Sequence, residues 1–139
     1  VSDPIVDIED EDALLRRVAN HPDMVKRGEG RPTSAAFKPS ERDGGLSVDV
    51  RRLLPDATDP TSVLDQYPEH GLVELRAAAP RELGLDVIHD PLPENYAHAN
   101  IVPEAQMDRA AQRRAYRELA RRCTAWVRLP AHAVESDAP

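Results

Sequence analysis

Leu46-Ser47-Val48-Asp49-Val50 alternates apolar and polar side chains without interruption, the signature of a strand with one face in a core and the other outside it. Working outward, Leu72–Arg76, Leu85–Ile88 and Tyr96–Val102 read as three further strands. In the last of these, Tyr96, His98 and Asn100 share one face, while Ala97, Ala99 and Ile101 share the other. Gly71 releases the second strand, and Gly84 ends a helical turn at Ala79–Leu83 ahead of the third. The loop from His89 to Glu94 holds two prolines and is stiff. Residues 33–38, carrying Phe37, have the makings of one more short strand, and Arg51–Leu54 either continues the quoted strand or turns into a short helix.

Three segments read as helices. In residues 10–19, Leu14, Leu15 and Val18 fall on one helical face behind Asp10 or Asp12, and Asn20-His21-Pro22 stops the run because a residue before proline avoids the helical region. Thr61–Tyr67 is a short helix capped by Asp59 or Thr61, with Pro60 suited to its first turn. Pro103 opens a long C-terminal helix, with Glu104 at its positive end. Along that helix Ala115, Tyr116, Leu119, Cys123, Trp126 and Val127 form one apolar arc, and Arg113, Arg117 and Arg121 line the opposite face at four-residue spacing. Thr124–Leu129 fits either its last turn or a short strand, and Pro130 ends both. Short strands mixed with short helices predict an α+β fold: a mainly antiparallel sheet of about four strands, covered by the long C-terminal helix and short connecting helices.

At 139 residues the chain has the size of one domain and can bury a core without disulfides or metal. We divide it into an acidic N-terminal arm (1–9), a single domain (10–128) and a tail (129–139). Only five aromatic residues occur, so the core rests on Leu, Val, Ile and Ala, and the 13 prolines imply frequent breaks. No apolar run approaches the roughly 18 residues of a membrane helix. The single Cys123 allows no internal disulfide, which points to a reducing cytoplasm. The chain opens on Val1 rather than Met, which leaves a preceding leader open. Arg outnumbers Lys, and Ala, Asp and Pro are abundant, as in proteins of GC-rich bacterial genomes.

The formal net charge is −7, and it is segregated. Residues 1–15 carry six acids and no base, whereas residues 104–128 carry seven arginines against Glu104, Asp108 and Glu118. Either the two ends are solvated surfaces, or they pair with each other, or the Arg face meets a partner. Aromatic stacking platforms are missing beside that face and the chain is acidic overall, so nucleic acid fits poorly and an acidic protein surface fits better.

Phosphate-loop, dinucleotide, zinc-protease, nucleophile-elbow and CxxC motifs are all missing from the sequence. The densest polar cluster is His89-Asp90-Pro91-Leu92-Pro93-Glu94-Asn95-Tyr96-Ala97-His98. There His89 and His98, with Glu94, have the residue types of acid–base chemistry near neutral pH. The same three side chains are ligand types for a divalent metal, but their spacing matches no zinc motif, so no metal or cofactor is assigned. A second cluster, Arg31-Pro32-Thr33-Ser34, can grip a phosphate or carboxylate. Asp49 and Asn95 would complete an anion-binding cleft beside His98. Two functions follow as expectations: a small binding or accessory protein that docks another protein through Arg113, Arg117 and Arg121, or a small enzyme acting on a phosphate-containing or nucleotide-like substrate through His98, His89 and Glu94. Use of the Arg face on RNA is a third.

Overall fold

The computed structural model describes residues 4–25, 32–39, 45–123 and 125–131. Six strands form one sheet: β1 (Ala13–Val18), β2 (Leu46–Val50), β3 (Gly71–Arg76), β4 (Leu85–His89), β5 (His98–Pro103) and β6 (Ala125–Arg128). They lie in the order β4-β5-β2-β1-β3-β6, and every neighbouring pair is antiparallel. Among the described residues there are two α-helices, the short α1 (Ala78–Glu82) and the long α2 (Arg109–Arg122). The remaining helical turns are 3-10 turns at Pro22–Met24, Ser34–Phe37, Arg51–Leu53 and Pro60–Leu64. The expectation of about four strands with several connecting helices is therefore corrected to six strands and one helix of substantial length.

The added strands come from segments whose apolar spacing misleads. Residues 13–18 form a central strand instead of a helix because the sheet is buried on both faces there. Leu14 and Val18 enter the larger core, while Leu15 enters a second, smaller one on the other side. Apolar residues on both faces of a strand lose the period of two and imitate a helical arc. Pairing decides the outcome, since all six residues of β1 are in register with β3, from Ala13 opposite Arg76 to Val18 opposite Gly71. Gly71 itself is required by close approach: a Cβ there would lie 2.7 Å from Pro130 and 2.9 Å from the Arg128 carbonyl oxygen.

At the C-terminus, Pro103 ends β5 instead of opening the helix, opposite Leu85 at the sheet edge. The helix starts six residues later, where the Asp108 carboxylate accepts from the Ala111 amide at 2.7 Å as an N-cap. It stops at Cys123, which is already extended. Trp126 and Val127 thus leave the apolar arc and belong to β6, with Trp126 packed on the larger core and Val127 exposed. The expected strand at 33–38 is a 3-10 turn that buries Phe37, and the expected helix at 61–67 is reduced to the turn Pro60–Leu64. The turn before β4 is helical as expected, and Gly84 closes it at φ +85°, a conformation that favours glycine.

Two cores result. Ala115, Tyr116, Leu119 and Ala120 of α2 pack with Phe37 against Leu14, Val48, Val73, Leu75 and Ile101 of the sheet. On the opposite face, Leu54 and Leu64 cover only Leu15, Leu72 and Ala97. No helix of the described residues is long and apolar enough to cross a membrane.

Candidate functional site

The thinly covered face carries a groove of about 560 Å3. Its position follows from the β2–β5 register, which sets Asp49 opposite His98 and Ser47 opposite Asn100. Leu46, Val48 and Val50 fill the larger core, so Ser47 and Asp49 must face the other way. The stiff loop after β4 folds over this face. Leu92 and Asn95 exchange backbone hydrogen bonds of 3.0 Å in both directions, closing a turn through Pro93 and Glu94. Asn95 then donates through Nδ2 to Asp49 Oδ1 at 2.6 Å and accepts from the Ala97 amide at 3.2 Å. Glu94, Asn95, Asp49, Ser47 and His98 line the groove, as does Arg17, whose guanidinium lies 4.3 Å above the Tyr67 ring.

His98 is held on both ring nitrogens. Nδ1 is 2.8 Å from the Asp90 carbonyl oxygen and 3.7 Å from the Asp90 carboxylate, and Nε2 is 3.2 Å from Ser47 Oγ. Asn100 fixes that carboxylate through a 2.9 Å hydrogen bond from Nδ2.

His89 stands apart from this group. It pairs with Ala99 across β4 and β5, and so faces the larger core, where it is 3% exposed. Its Nδ1 accepts from the Val6 amide at 3.0 Å, its Nε2 bonds the Tyr96 carbonyl oxygen at 2.7 Å, and the Tyr96 ring packs edge-on at 4.9 Å. Both nitrogens are occupied in pinning the N-terminal arm to the loop. His89 therefore cannot share a proton, or a metal ion, with His98 across the sheet.

A second groove, of about 510 Å3, runs between α2 and the turn at Ser34–Phe37. Apolar atoms of Ala35, Phe37, Pro39 and Tyr116 form its floor, and Lys38, Arg109, Arg113 and Arg117 ring it. Arg113 and Arg117 flank the buried arc, beside Tyr116, instead of opposing it. Arg121 lies outside this groove and pairs with Glu118 at 3.4 Å, while Arg122 pairs with Glu82 at 2.8 Å. Arg109, Arg113, Arg114 and Arg117 make no ion pair among the described residues.

Among the described residues, the acids near the N-terminus meet other arginines. Arg52 binds the buried Asp12 at 2.7 Å and the Asp7 carbonyl oxygen at 2.8 Å. Arg76 reaches the Glu11 carbonyl oxygen at 2.8 Å, and Arg81 bridges Asp10 at 2.7 Å and Asp86 at 3.2 Å. Burial works to lower the Arg81 pKa, but the hydrogen bonds and charges of Asp10 and Asp86 outweigh it and raise the pKa. The stretch from Asp7 to Asp12 is thus held by Arg52, Arg76 and Arg81, which lie outside α2.

Of the residues singled out in the sequence, the structure brings together Asp49, Glu94, Asn95 and His98. It sends His89 to the opposite face and Ser34 to the groove along α2, beside Arg113 and Arg117. Arg31 lies outside the described residues, as do Gly28-Glu29-Gly30, residues 40–44 of the polar turn and the tail from 132 on. Sequence reading missed Ser47, Arg17, Lys38 and Arg109. The alternation in Leu46–Val50 already put Ser47 on the face of Asp49, but its nearness to His98 depends on a strand register that the sequence does not spell out. Comparison with family models, with curated proteins and with solved structures finds no match to this chain.

Proposed function

We propose that the chain is a small cytoplasmic binding protein, and that it docks an acidic segment of another protein in the groove along α2. The observation that carries this reading is the set of cations around that groove. Three of them, Arg109, Arg113 and Arg117, meet no acid among the described residues, in a protein with net charge −7. Clustered cations repel one another, whereas a docking surface that presents them gains charge-assisted, bidentate recognition of carboxylates. The apolar floor supplies the desolvated centre that a purely ionic patch lacks.

RNA fits less well. Sequence-tolerant RNA binding relies on exposed rings for base stacking, and the two aromatic residues lining this groove, Phe37 and Tyr116, are buried, the Tyr116 hydroxyl 3.1 Å from the Ile101 carbonyl oxygen.

A fluorescein-labelled peptide alternating Glu with Leu, titrated into the full chain, tests the reading. It should bind, weaken with added salt, and lose at least about tenfold in affinity in the Arg113→Glu/Arg117→Glu protein, equivalent to about 1.4 kcal/mol. Arg114→Glu changes the net charge without touching the groove lining and should cost much less. Equal loss in both proteins, or tighter binding of single-stranded oligouridylate than of the peptide, would overturn it.

A further inference from the structure

The groove on the opposite face is not used by this docking function, and it holds the one hydroxyl–imidazole hydrogen bond among the described residues. A carbonyl oxygen can only accept, so the 2.8 Å contact with Asp90 places the proton of the neutral His98 ring on Nδ1. Nε2 then offers its lone pair to the Ser47 hydroxyl 3.2 Å away. The Asp90 carboxylate, 3.7 Å behind Nδ1, is placed to stabilise the imidazolium that forms when Nε2 takes a proton. Adjacent strands carry the two residues, so their spacing is set by the sheet. Ser47 is exposed, whereas the His98 side chain is only 12% exposed, which leaves the hydroxyl as the accessible member of the pair.

We propose that Ser47 is a nucleophile activated by His98, and that this groove hydrolyses a small carboxylic ester. Ser47 Oγ forms a bond to the ester carbonyl carbon as its proton passes to His98 Nε2, and the carbonyl π electrons move onto oxygen. When that electron pair returns, the bond to the alkoxy group breaks, and the leaving oxygen takes the proton from Nε2. Water repeats the sequence on the acyl-serine, with His98 again receiving and returning the proton, and releases the carboxylic acid with Ser47 restored. Arg17 is the cation of the groove wall toward the negative charge that gathers on the carbonyl oxygen. Asp49, Asp65 and Glu94 line the same groove and repel anions, so the ester it takes is neutral or carries an amine.

A fluorophosphonate probe and p-nitrophenyl acetate, each incubated with the full chain, test the proposal. The probe should label Ser47 in preference to the other five serines, with p-nitrophenol released above the buffer rate. Ser47→Ala should abolish both signals, and His98→Gln should slow labelling at least about a hundredfold, the range expected for removal of a general base. Circular dichroism reports whether the His98→Gln protein is folded. Should it unfold, Ser47→Cys retains the imidazole, and its thiol should react with iodoacetamide faster than free cysteine. Labelling spread evenly over the six serines, a folded His98→Gln protein labelled at the wild-type rate, or a Ser47→Cys thiol no faster than free cysteine would each overturn it.

Discussion

The two faces of one sheet differ in how they are covered, and that difference separates stability from chemistry. Under α2 the sheet is closed by a full helix and the Phe37 turn, and polar groups are pushed to the rim, where Lys38 and the arginines stand. On the other face the described cover is short turns carrying Leu54 and Leu64 and the loop through Leu92 and Asn95, and the groove between them holds a polar row of Ser47, Asp49 and His98. A single strand contributes to both: Leu46, Val48 and Val50 build the closed face, and Ser47 and Asp49 furnish the open one. A closed face can gain function only at its edge, whereas an open one can hold polar groups in fixed positions on the strands themselves.

The largest test of this contrast is a pair of core truncations. Leu119 and Leu64 are both essentially inaccessible, at 0% and 1% exposure, but Leu119 is clamped between helix and sheet while Leu64 sits in a short turn able to settle inward. Leu→Ala substitutions span roughly 2–5 kcal/mol according to how far the site collapses. Leu119→Ala should therefore fall toward the upper end and Leu64→Ala toward the lower, measured by urea unfolding. Equal losses, or the reverse order, would show that the two faces do not differ in rigidity.

Much of the closed face was legible where its strand alternates, as at Leu46–Val50. The central strand was not, because Leu14 and Leu15 are neighbours that enter different cores. The start of α2 was misread for a local reason: Pro103 and Glu104 suit a helix N-terminus in isolation, but Pro103 is the last residue of β5, paired with Leu85 of β4, and Asp108 is the working cap. At the open face, the loop from His89 to His98 contributes Glu94, Asn95 and His98 to the groove lining. Which of its two histidines faced that site depended on parity against β2. His89 and His98 fall on opposite faces, and Ser47, 51 positions from His98, enters only through the register. Pairings of that range have no local signature.

A smaller effect probes the far end of the open face, where Arg17 spans Tyr67 and His70 packs at 5.1 Å from the Tyr67 ring. Burial, and then the charge of Arg17, lower the His70 pKa below 6.5, with Glu69 opposing. The unfolded chain therefore takes up this proton at a higher pH than the folded one does. The contribution of His70 to stability is complete above about pH 6.5 and falls as the solution is acidified through the lowered pKa. His70→Gln should make the decline in Tm from about pH 7 to about pH 5 shallower. An unchanged or steeper decline would show that His70 is not held neutral by its surroundings.

The assignment of docking to the rim of the closed face is tested most directly by mapping the acidic peptide onto isotope-labelled protein by NMR. Amide shifts on titration should concentrate at residues 34–39 and 109–117, with Ser47, Asn95 and His98 on the open face unmoved. Shifts centred on the open face, or none at peptide concentrations well above those used in the binding titration, would contradict it.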